Sequence, residues 1–212
     1  PESAFGGVIA VNGSVDKTFA TALIENQFVE VLIAPDFSED ALNILKKKKN
    51  IRVISKKKFK KTPMPFSIQA IDGGFLVQED DWKIIDKDNL EYVTERKPTD
   101  HQIIDLLFAW KVCKYVKSNA IIFAKNQQTI GIGAGQMSRV NSAKIASLKA
   151  TAADLDTKDS VMASDGFFPF SDSIKMASDN GISCIIQPGG SIKDNEVIEE
   201  ANKQNIAMVM TR

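Results

Sequence analysis

The first part of the chain alternates short apolar runs with amphipathic segments. The apolar runs are rich in β-branched residues, which favours strands, and Asp16 and Ser38 stand just before the two segments with helical spacing. The predicted order is strand 7–11, helix 17–26, strand 28–34, helix 39–48 and strand 51–54. Because strands alternate with helices, this order predicts a mainly parallel sheet with covering helices.

A less regular stretch comes next. The lysine-rich run 56–61 is either a patch that binds polyphosphate or nucleic acid or a solvated linker, and the zero net charge of the chain favours the linker. Segments 67–71 and 75–78 flank Asp-Gly-Gly and predict a hairpin. Residues 82–97 are polar and predict an irregular connector.

The α/β pattern then restarts. Thr99 and Gln102 form a capping box for a helix that extends to residue 117. The predicted elements after it are strands 120–124 and 129–133, helix 139–153, strand 161–163, helix 173–180, strand 183–187, helix 195–204 and strand 206–210. We therefore predict an α/β protein with a partial first lobe (1–98), a connecting helix (99–118) and a second lobe (119–212).

Composition and charge narrow the class of protein. The 212 residues are 43% hydrophobic, and 27 basic side chains balance 27 acidic ones, so nucleic acid and acidic membranes are not expected partners. Cys113 and Cys184 are isolated, which predicts two reduced, buried thiols. No apolar run approaches the roughly 20 residues of a membrane span, and we expect a cytoplasmic protein.

A glycine-rich turn carries the first candidate site. Gly131, Gly133 and Gly135 lie between a predicted strand and a helix that begins near Arg139. The spacing lacks the third glycine of the dinucleotide fingerprint, so a small molecule with a phosphate or carboxylate fits better, and a simple turn remains open.

Two further loops stand at the ends of predicted strands. In Ser-Asp-Gly-Phe-Phe-Pro-Phe-Ser-Asp (164–172), the aromatic residues are either core residues or the wall of a flat-ring pocket, and Asp172 is either a helix N-cap or an acidic rim. The loop 187–194 offers backbone N–H groups and a hydroxyl. His101 is the one histidine and is read as a surface residue, and no zinc-hydrolase or Gly-x-Ser-x-Gly motif is present.

Together these stretches resemble the transformylase domain of the bifunctional purine enzymes that formylate AICAR and then close the ring to IMP. The matching runs are PESAFGG (1–7), FVEVLIAP (28–35), KSNAIIFAKNQQTIGIGAGQMSRV (117–140), ASDGFFPFSD (163–172) and QPGGSIKDNEVI (187–198). The resemblance implies two cytidine-deaminase-like lobes without zinc and transfer of a formyl group from 10-formyltetrahydrofolate, the cosubstrate, to AICAR. It also implies a homodimer, no required metal, and room for a monovalent cation.

The resemblance also assigns roles by motif. Asn119 matches the asparagine that aligns the reacting groups. The matches for AICAR contacts are Gly6, Glu30, Arg139 and Phe167, and those for folate contacts are Val140, Asp172, Ser191 and Ile192.

The chain departs from the family pattern in two places. The family's Lys-His pair should lie upstream of Pro1, and its Arg-His-Phe-x-His tail should follow Thr211, so Arg212 is not assigned. We therefore expect a truncated piece that lacks the cyclohydrolase domain, supplies positioning residues and has negligible transformylase activity alone. The alternatives are a non-catalytic nucleotide- or folate-binding module, a zinc-deaminase relative without its ligands, and a dinucleotide-binding domain.

Overall fold

The chain divides into two compact units, residues 1–82 and 83–212. The computed structural model describes residues 5–57, 66–81 and 83–212. Most of the lysine-rich run, the start of the chain and Trp82 lie outside the described residues. Both units combine helices with sheets, which confirms the α/β class, while the three predicted domain limits stay a prediction.

The first unit contains a three-stranded parallel sheet. Its elements are β1 (Gly7–Ala10), α1 (Lys17–Asn26), β2 (Val29–Ala34), α2 (Glu39–Leu45) and β3 (Arg52–Ser55), and the strand order is β1-β2-β3. Both predicted helix caps are confirmed: the Phe19 N–H donates to Asp16 at 2.8 Å and the Ala41 N–H donates to Ser38 Oγ at 3.1 Å. A small core centred on Leu32 joins the helices to the sheet.

The predicted hairpin is also present in this unit. Strands β4 (Phe66–Ile71) and β5 (Gly74–Glu79) pair antiparallel, with Ile68 opposite Val77. Residues two apart on a strand share a face, so one face of the hairpin carries Phe66, Ile68, Phe75 and Val77. Each of these four residues is between 48% and 72% exposed. The hairpin thus presents an apolar face to its surroundings.

The second unit is built on a six-stranded mixed sheet. Its elements are β6 (Glu91–Tyr92), α3 (Asp100–Cys113), β7 (Ile121–Lys125), β8 (Gln128–Gly133), α4 (Arg139–Ala152), β9 (Val161–Ser164), α5 (Asp172–Asp179), β10 (Cys184–Gln187), α6 (Asp194–Lys203) and β11 (Ala207–Met210), and the strand order is β6-β11-β10-β9-β7-β8. Strands β9, β10 and β11 are parallel. The other strands are antiparallel to their neighbours: β6 pairs with β11, and β7 pairs with both β9 and β8.

The helices cover both faces of this sheet. Helix α3, predicted as a connector, packs against one face through Leu106, Ala109 and Cys113. Helices α4, α5 and α6 pack against the other face, around Phe123 and Met162. Because both faces are buried, strands such as β9 and β10 are apolar in nearly every position rather than alternating. The predicted irregular connector contributes a short 3-10 turn (Lys87–Asn89) and β6.

A buried carboxylate closes the hairpin between β7 and β8. Asn126 and Gln127 adopt positive φ values of 54° and 55°, as a two-residue hairpin turn of type I′ requires. Their N–H groups donate to the two oxygens of Asp105 at 2.9 and 2.7 Å, and only 3% of Asp105 is exposed. The two backbone N–H groups therefore satisfy a carboxylate whose burial would otherwise leave its oxygens without hydrogen-bond partners.

The glycines of β8 allow α4 to approach the sheet closely. A Cβ atom on Gly131 would lie 2.1 Å from the Ala146 carbonyl oxygen, and one on Gly133 would lie 1.7 Å from that of Ser142. The glycine-rich turn therefore serves helix packing at these two positions. Gly135 has a φ of +67°, in the left-handed region that glycine adopts more readily than residues with a side chain.

Replacing Gly133 with Ala should lower the free energy of unfolding by about 3 kcal/mol, because backbone atoms of α4 cannot yield as a flexible side chain would. Urea unfolding followed by circular dichroism measures this change. Gly13→Ala is the control, since nothing lies within 4 Å of a Cβ at that position. Equal stability of the two variants would contradict the close-packing explanation.

Candidate active site

Sheet topology brings three loops to one edge of the second unit. Strands β9 and β10 end at Ser164 and Gln187, so the loops after them leave from the same edge. Strand β7 runs in the opposite direction, and its first residue, Ile121, pairs with Ser164. The segment that precedes β7 therefore meets the loops that follow β9 and β10, at the edge where open α/β sheets collect ligands.

The Asp165 carboxylate connects the segments that meet at this edge of the sheet. Its Oδ1 atom accepts a hydrogen bond from the Ala120 N–H at 3.0 Å and one from the Arg139 guanidinium at 3.3 Å. Its Oδ2 atom accepts one from the Ser118 hydroxyl. One carboxylate thus joins the segment before β7, the loop after β9 and the start of α4.

Asn119 lies between the two residues that Asp165 holds. The Ser118–Asn119 peptide bond is cis. The Asn119 side-chain amide donates to the Gln136 carbonyl at 2.8 Å, and its backbone carbonyl accepts from the Ser142 hydroxyl at 2.7 Å. Its Oδ1 atom takes no hydrogen bond from the described part of the chain. The amide is therefore fixed in orientation, with its oxygen available as an acceptor.

Arg139 is the first residue of α4 and lies against the loop after β9. Its side chain is 21% exposed and forms an ion pair with Asp165, itself 18% exposed. A Cβ atom on Gly166 would lie 2.1 Å from Arg139 Nη2, so the guanidinium rests directly on that residue. The Nε atom is buried and has no hydrogen-bond partner among the described residues.

The three phenylalanines of the loop after β9 have different environments. Phe168 is fully buried in the core between the sheet and α5, so the core interpretation holds for it. Phe167 and Phe170 are 43% and 61% exposed. Phe167 directly follows Gly166, against which the Arg139 guanidinium lies, and a partly exposed aromatic side chain provides a surface on which a planar ring can lie.

The residues predicted to contact folate follow the same edge. Asp172 is the first residue of α5, not its N-cap; Ser171 holds the N-cap position, and the Asp172 carboxylate accepts from the Ser173 N–H at 2.8 Å. Val140 is half-buried in the first turn of α4. Ile192 is fully exposed.

The loop after β10 uses its backbone donors internally. The N–H groups of Gly190 and Ser191 donate to the carboxylate of Asp194 at 2.8 and 3.1 Å. The Ser191 hydroxyl oxygen accepts from the Lys193 N–H at 3.1 Å, which leaves the hydroxyl proton available. Arg212 follows β11, and its Nε atom forms an ion pair with the Glu91 carboxylate at 2.6 Å.

The predicted residues of the first unit lie together. Gly6 has a φ of +74°, and a Cβ atom there would lie 3.2 Å from Glu30 Oε1. The two residues stand at the start of β1 and β2, where the Gly7 N–H donates to the Phe28 carbonyl at 3.0 Å. Phe28 also stacks on Phe5, with ring centroids 4.7 Å apart.

The one histidine of the chain lies away from this cluster. His101 lies 3.5 Å from Asp105, near the β7–β8 turn, and thus at the edge opposite Asn119. Among residues 5–57, 66–81 and 83–212, no three His, Cys, Asp or Glu side chains are grouped closely enough to hold a metal ion. In the same residues, no helix combines the length and apolar character of a membrane span.

Both cysteines are free and buried, as predicted. Burial raises the pKa of the Cys113 thiol to about 12; the Asp165 carboxylate raises it further and Arg139 opposes this. Burial likewise raises the pKa of Cys184 to about 12, against a hydrogen bond from the Ile185 backbone and the charge of Arg96. Both thiols are therefore protonated and unreactive at neutral pH.

Alkylation by iodoacetamide at pH 8 should label neither cysteine until the chain unfolds, as mass spectrometry of labelled peptides would show. The pKa of each folded thiol is about 12, whereas the thiols of the unfolded chain lose their protons near the ordinary pKa of 9.0. Stability should therefore fall as the pH rises through this interval. Rapid labelling of either residue in the native chain would contradict the burial.

Asp165 is the residue that sequence reasoning left without a role. The Ser-Asp-Gly sequence at 164–166 marks a turn after a strand, but nothing in it indicates that the carboxylate reaches back to residues 118 and 120. Those contacts follow from the antiparallel pairing of β7 with β9, which the hydrophobic pattern did not reveal.

A comparison with models of known protein families matches most of the chain. The family model described as AICARFT/IMPCHase bienzyme matches residues 1–149. The chain therefore belongs to the AICARFT/IMPCHase bienzyme family, a family of purine biosynthesis. The matched residues include Gly6, Glu30, Asn119, Arg139 and Val140, whereas Phe167, Asp172, Ser191 and Ile192 follow them.

Proposed function

We propose that this chain forms part of an AICAR formyltransferase, which moves a formyl group from 10-formyltetrahydrofolate to the 5-amino group of AICAR. The observation that carries the proposal is the cluster of Asn119, Arg139 and Asp165 at the edge where the loops after β9 and β10 begin. Membership of the bienzyme family supports the reaction class. The formyl donor and the residue roles rest on the resemblance.

The reaction requires these residues to align the two reactants rather than to transfer a proton. The AICAR amine is a weak nucleophile because its lone pair is shared with the ring and the carboxamide. Alignment of the amine nitrogen with the formyl carbon can contribute about 7–11 kcal/mol in favourable cases. Proton removal from the attacking amine contributes about 10²–10⁴-fold, and we assign that step to none of the residues described above.

Asn119 is suited to orient the amine. Its side-chain N–H is held by the Gln136 carbonyl, so the amide cannot rotate freely. The Oδ1 atom can then accept one N–H of the AICAR amine and direct the nitrogen lone pair toward the formyl carbon. Removal of the amine proton and protonation of the departing folate nitrogen complete the transfer.

Arg139 and Phe167 are suited to hold the ribotide. The guanidinium offers a planar set of N–H donors to an oxygen of AICAR, and the partly exposed Phe167 ring can contact the imidazole. Glu30 and Gly6 remain predicted nucleotide contacts within the first unit.

The folate is proposed to contact the neighbouring loops. Asp172 is exposed and can accept from the amino groups of a pterin, while the Ser191 hydroxyl and the exposed Ile192 side chain offer a polar and an apolar contact. Val140, one residue after Arg139, would contact the folate. A homodimer and a monovalent cation also remain proposals taken from the resemblance.

The first test is calorimetric titration of the chain with AICAR and with a folate analogue. Arg139→Gln should weaken AICAR binding by at least about tenfold, because it removes a charged donor from the ligand. Arg96→Gln is the matched control: Arg96 donates to the Asn205 carbonyl, before β11 and hence at the opposite edge of the sheet.

Unchanged affinity in Arg139→Gln would contradict the role of this residue. No heat with either ligand in the unaltered chain would contradict the proposed function itself. Stoichiometric zinc in the purified chain would instead favour a deaminase-like protein.

Sedimentation velocity tests the proposed homodimer. The chain has a mass of 23.3 kDa, so a dimer should sediment as a species of twice that mass over the micromolar range. A single species of 23.3 kDa at every concentration would contradict self-association of this chain.

A further inference from the structure

We propose that Asp165 is a positioning residue for formyl transfer, which fixes Arg139 and the segment carrying Asn119 in one arrangement before the ligands bind. The inference rests on the proposed function, because it assumes that Arg139 and Asn119 contact the reacting molecules. It adds a residue to which the family resemblance gave no role.

The geometry of the carboxylate supports this role. Two of its three partners, the Ser118 hydroxyl and the Ala120 N–H, stand on either side of Asn119. The third partner is the Arg139 guanidinium, which approaches the same Oδ1 atom that Ala120 uses. A displacement of Asp165 would therefore move the asparagine and the arginine together.

The bonding of Asp165 also indicates what it does not do. Both carboxylate oxygens already accept hydrogen bonds, and one of them is paired with a permanent positive charge. A carboxylate that must exchange a proton with substrate needs an oxygen free to reach it. Asp165 therefore acts through its neighbours.

Gly166 completes the arrangement. Because it has no side chain, the guanidinium of Arg139 can lie against the loop, where an added Cβ would come within 2.1 Å of Nη2 and 3.3 Å of Nε. The atoms that an alanine would displace belong to the flexible end of a side chain, not to backbone. Gly166→Ala should thus move Arg139 without unfolding the unit.

Asp105 supplies a matched comparison within the same sheet. Like Asp165, it accepts two or more hydrogen bonds and lies next to an end of β7, but at the opposite edge. Asp165→Asn and Asp105→Asn are the same chemical change, and each removes one acceptor oxygen from a set of donors. Only the first should alter the site.

The test measures two properties of the chain and its variants. The first is the Kd for AICAR, determined by calorimetry for Arg139→Gln, Asp165→Asn and the double variant. The second is the order of the Arg139 side chain, measured by ¹⁵N relaxation of its Nε–H group without ligand. Urea unfolding confirms that each variant is folded under the conditions used.

We expect Asp165→Asn and Gly166→Ala each to weaken AICAR binding by about tenfold and to increase the mobility of the Arg139 Nε–H. Asp105→Asn should reduce stability but leave both readouts unchanged. In the double variant, the losses should be less than additive, because Asp165 acts through Arg139. Additive losses, or an Arg139 side chain equally ordered without the Asp165 carboxylate, would overturn the proposal.

Failure of the proposed function gives a different result. If the unaltered chain does not bind AICAR, that function is wrong for this chain. The Nε–H measurement still decides whether Asp165 holds Arg139, since it needs no ligand: mobility unchanged in Asp165→Asn would refute the positioning role independently.

Discussion

The candidate active site depends on the antiparallel pairing of β7 with β9. This pairing places Ile121 opposite Ser164, so the residues before one strand meet the residues after the other. The hydrogen bond from the Ala120 N–H to Asp165 is its direct consequence. If β7 ran parallel to β9, Asn119 would stand at the far edge, beside the Asp105 carboxylate, and could not share a site with Arg139.

Helix packing and site geometry are joined at the start of α4. Gly131 and Gly133 let the helix lie closely on β8, and Ser142 of the same helix donates to the Asn119 carbonyl. The first residue of that helix is Arg139. Helix packing therefore fixes the Arg139 backbone, and Asp165 fixes its guanidinium. Both constraints favour a site that is preorganised before the ligand binds.

The sequence was sufficient for local structure and for the family, and insufficient for the contacts within the site. Strand and helix positions followed from apolar periodicity, and Asp16, Ser38 and Thr99 were identified as helix caps. The role of Asp165 could not be found, because its partners are more than 20 residues away and depend on strand order. The glycines of β8 suggested an anion site, although packing against α4 explains two of them.

The most direct test of the shared site is a ¹⁵N–¹H correlation titration of the chain with AICAR. We expect the amides of Asn119, Ala120 and Gly166 and the Nε–H of Arg139 to shift together with one Kd, and the amides of Asn126 and Gln127, in the β7–β8 turn, to stay unchanged. Shifts confined to the β7–β8 turn, or different Kd values for Asn119 and Arg139, would contradict a single site at this edge of the sheet.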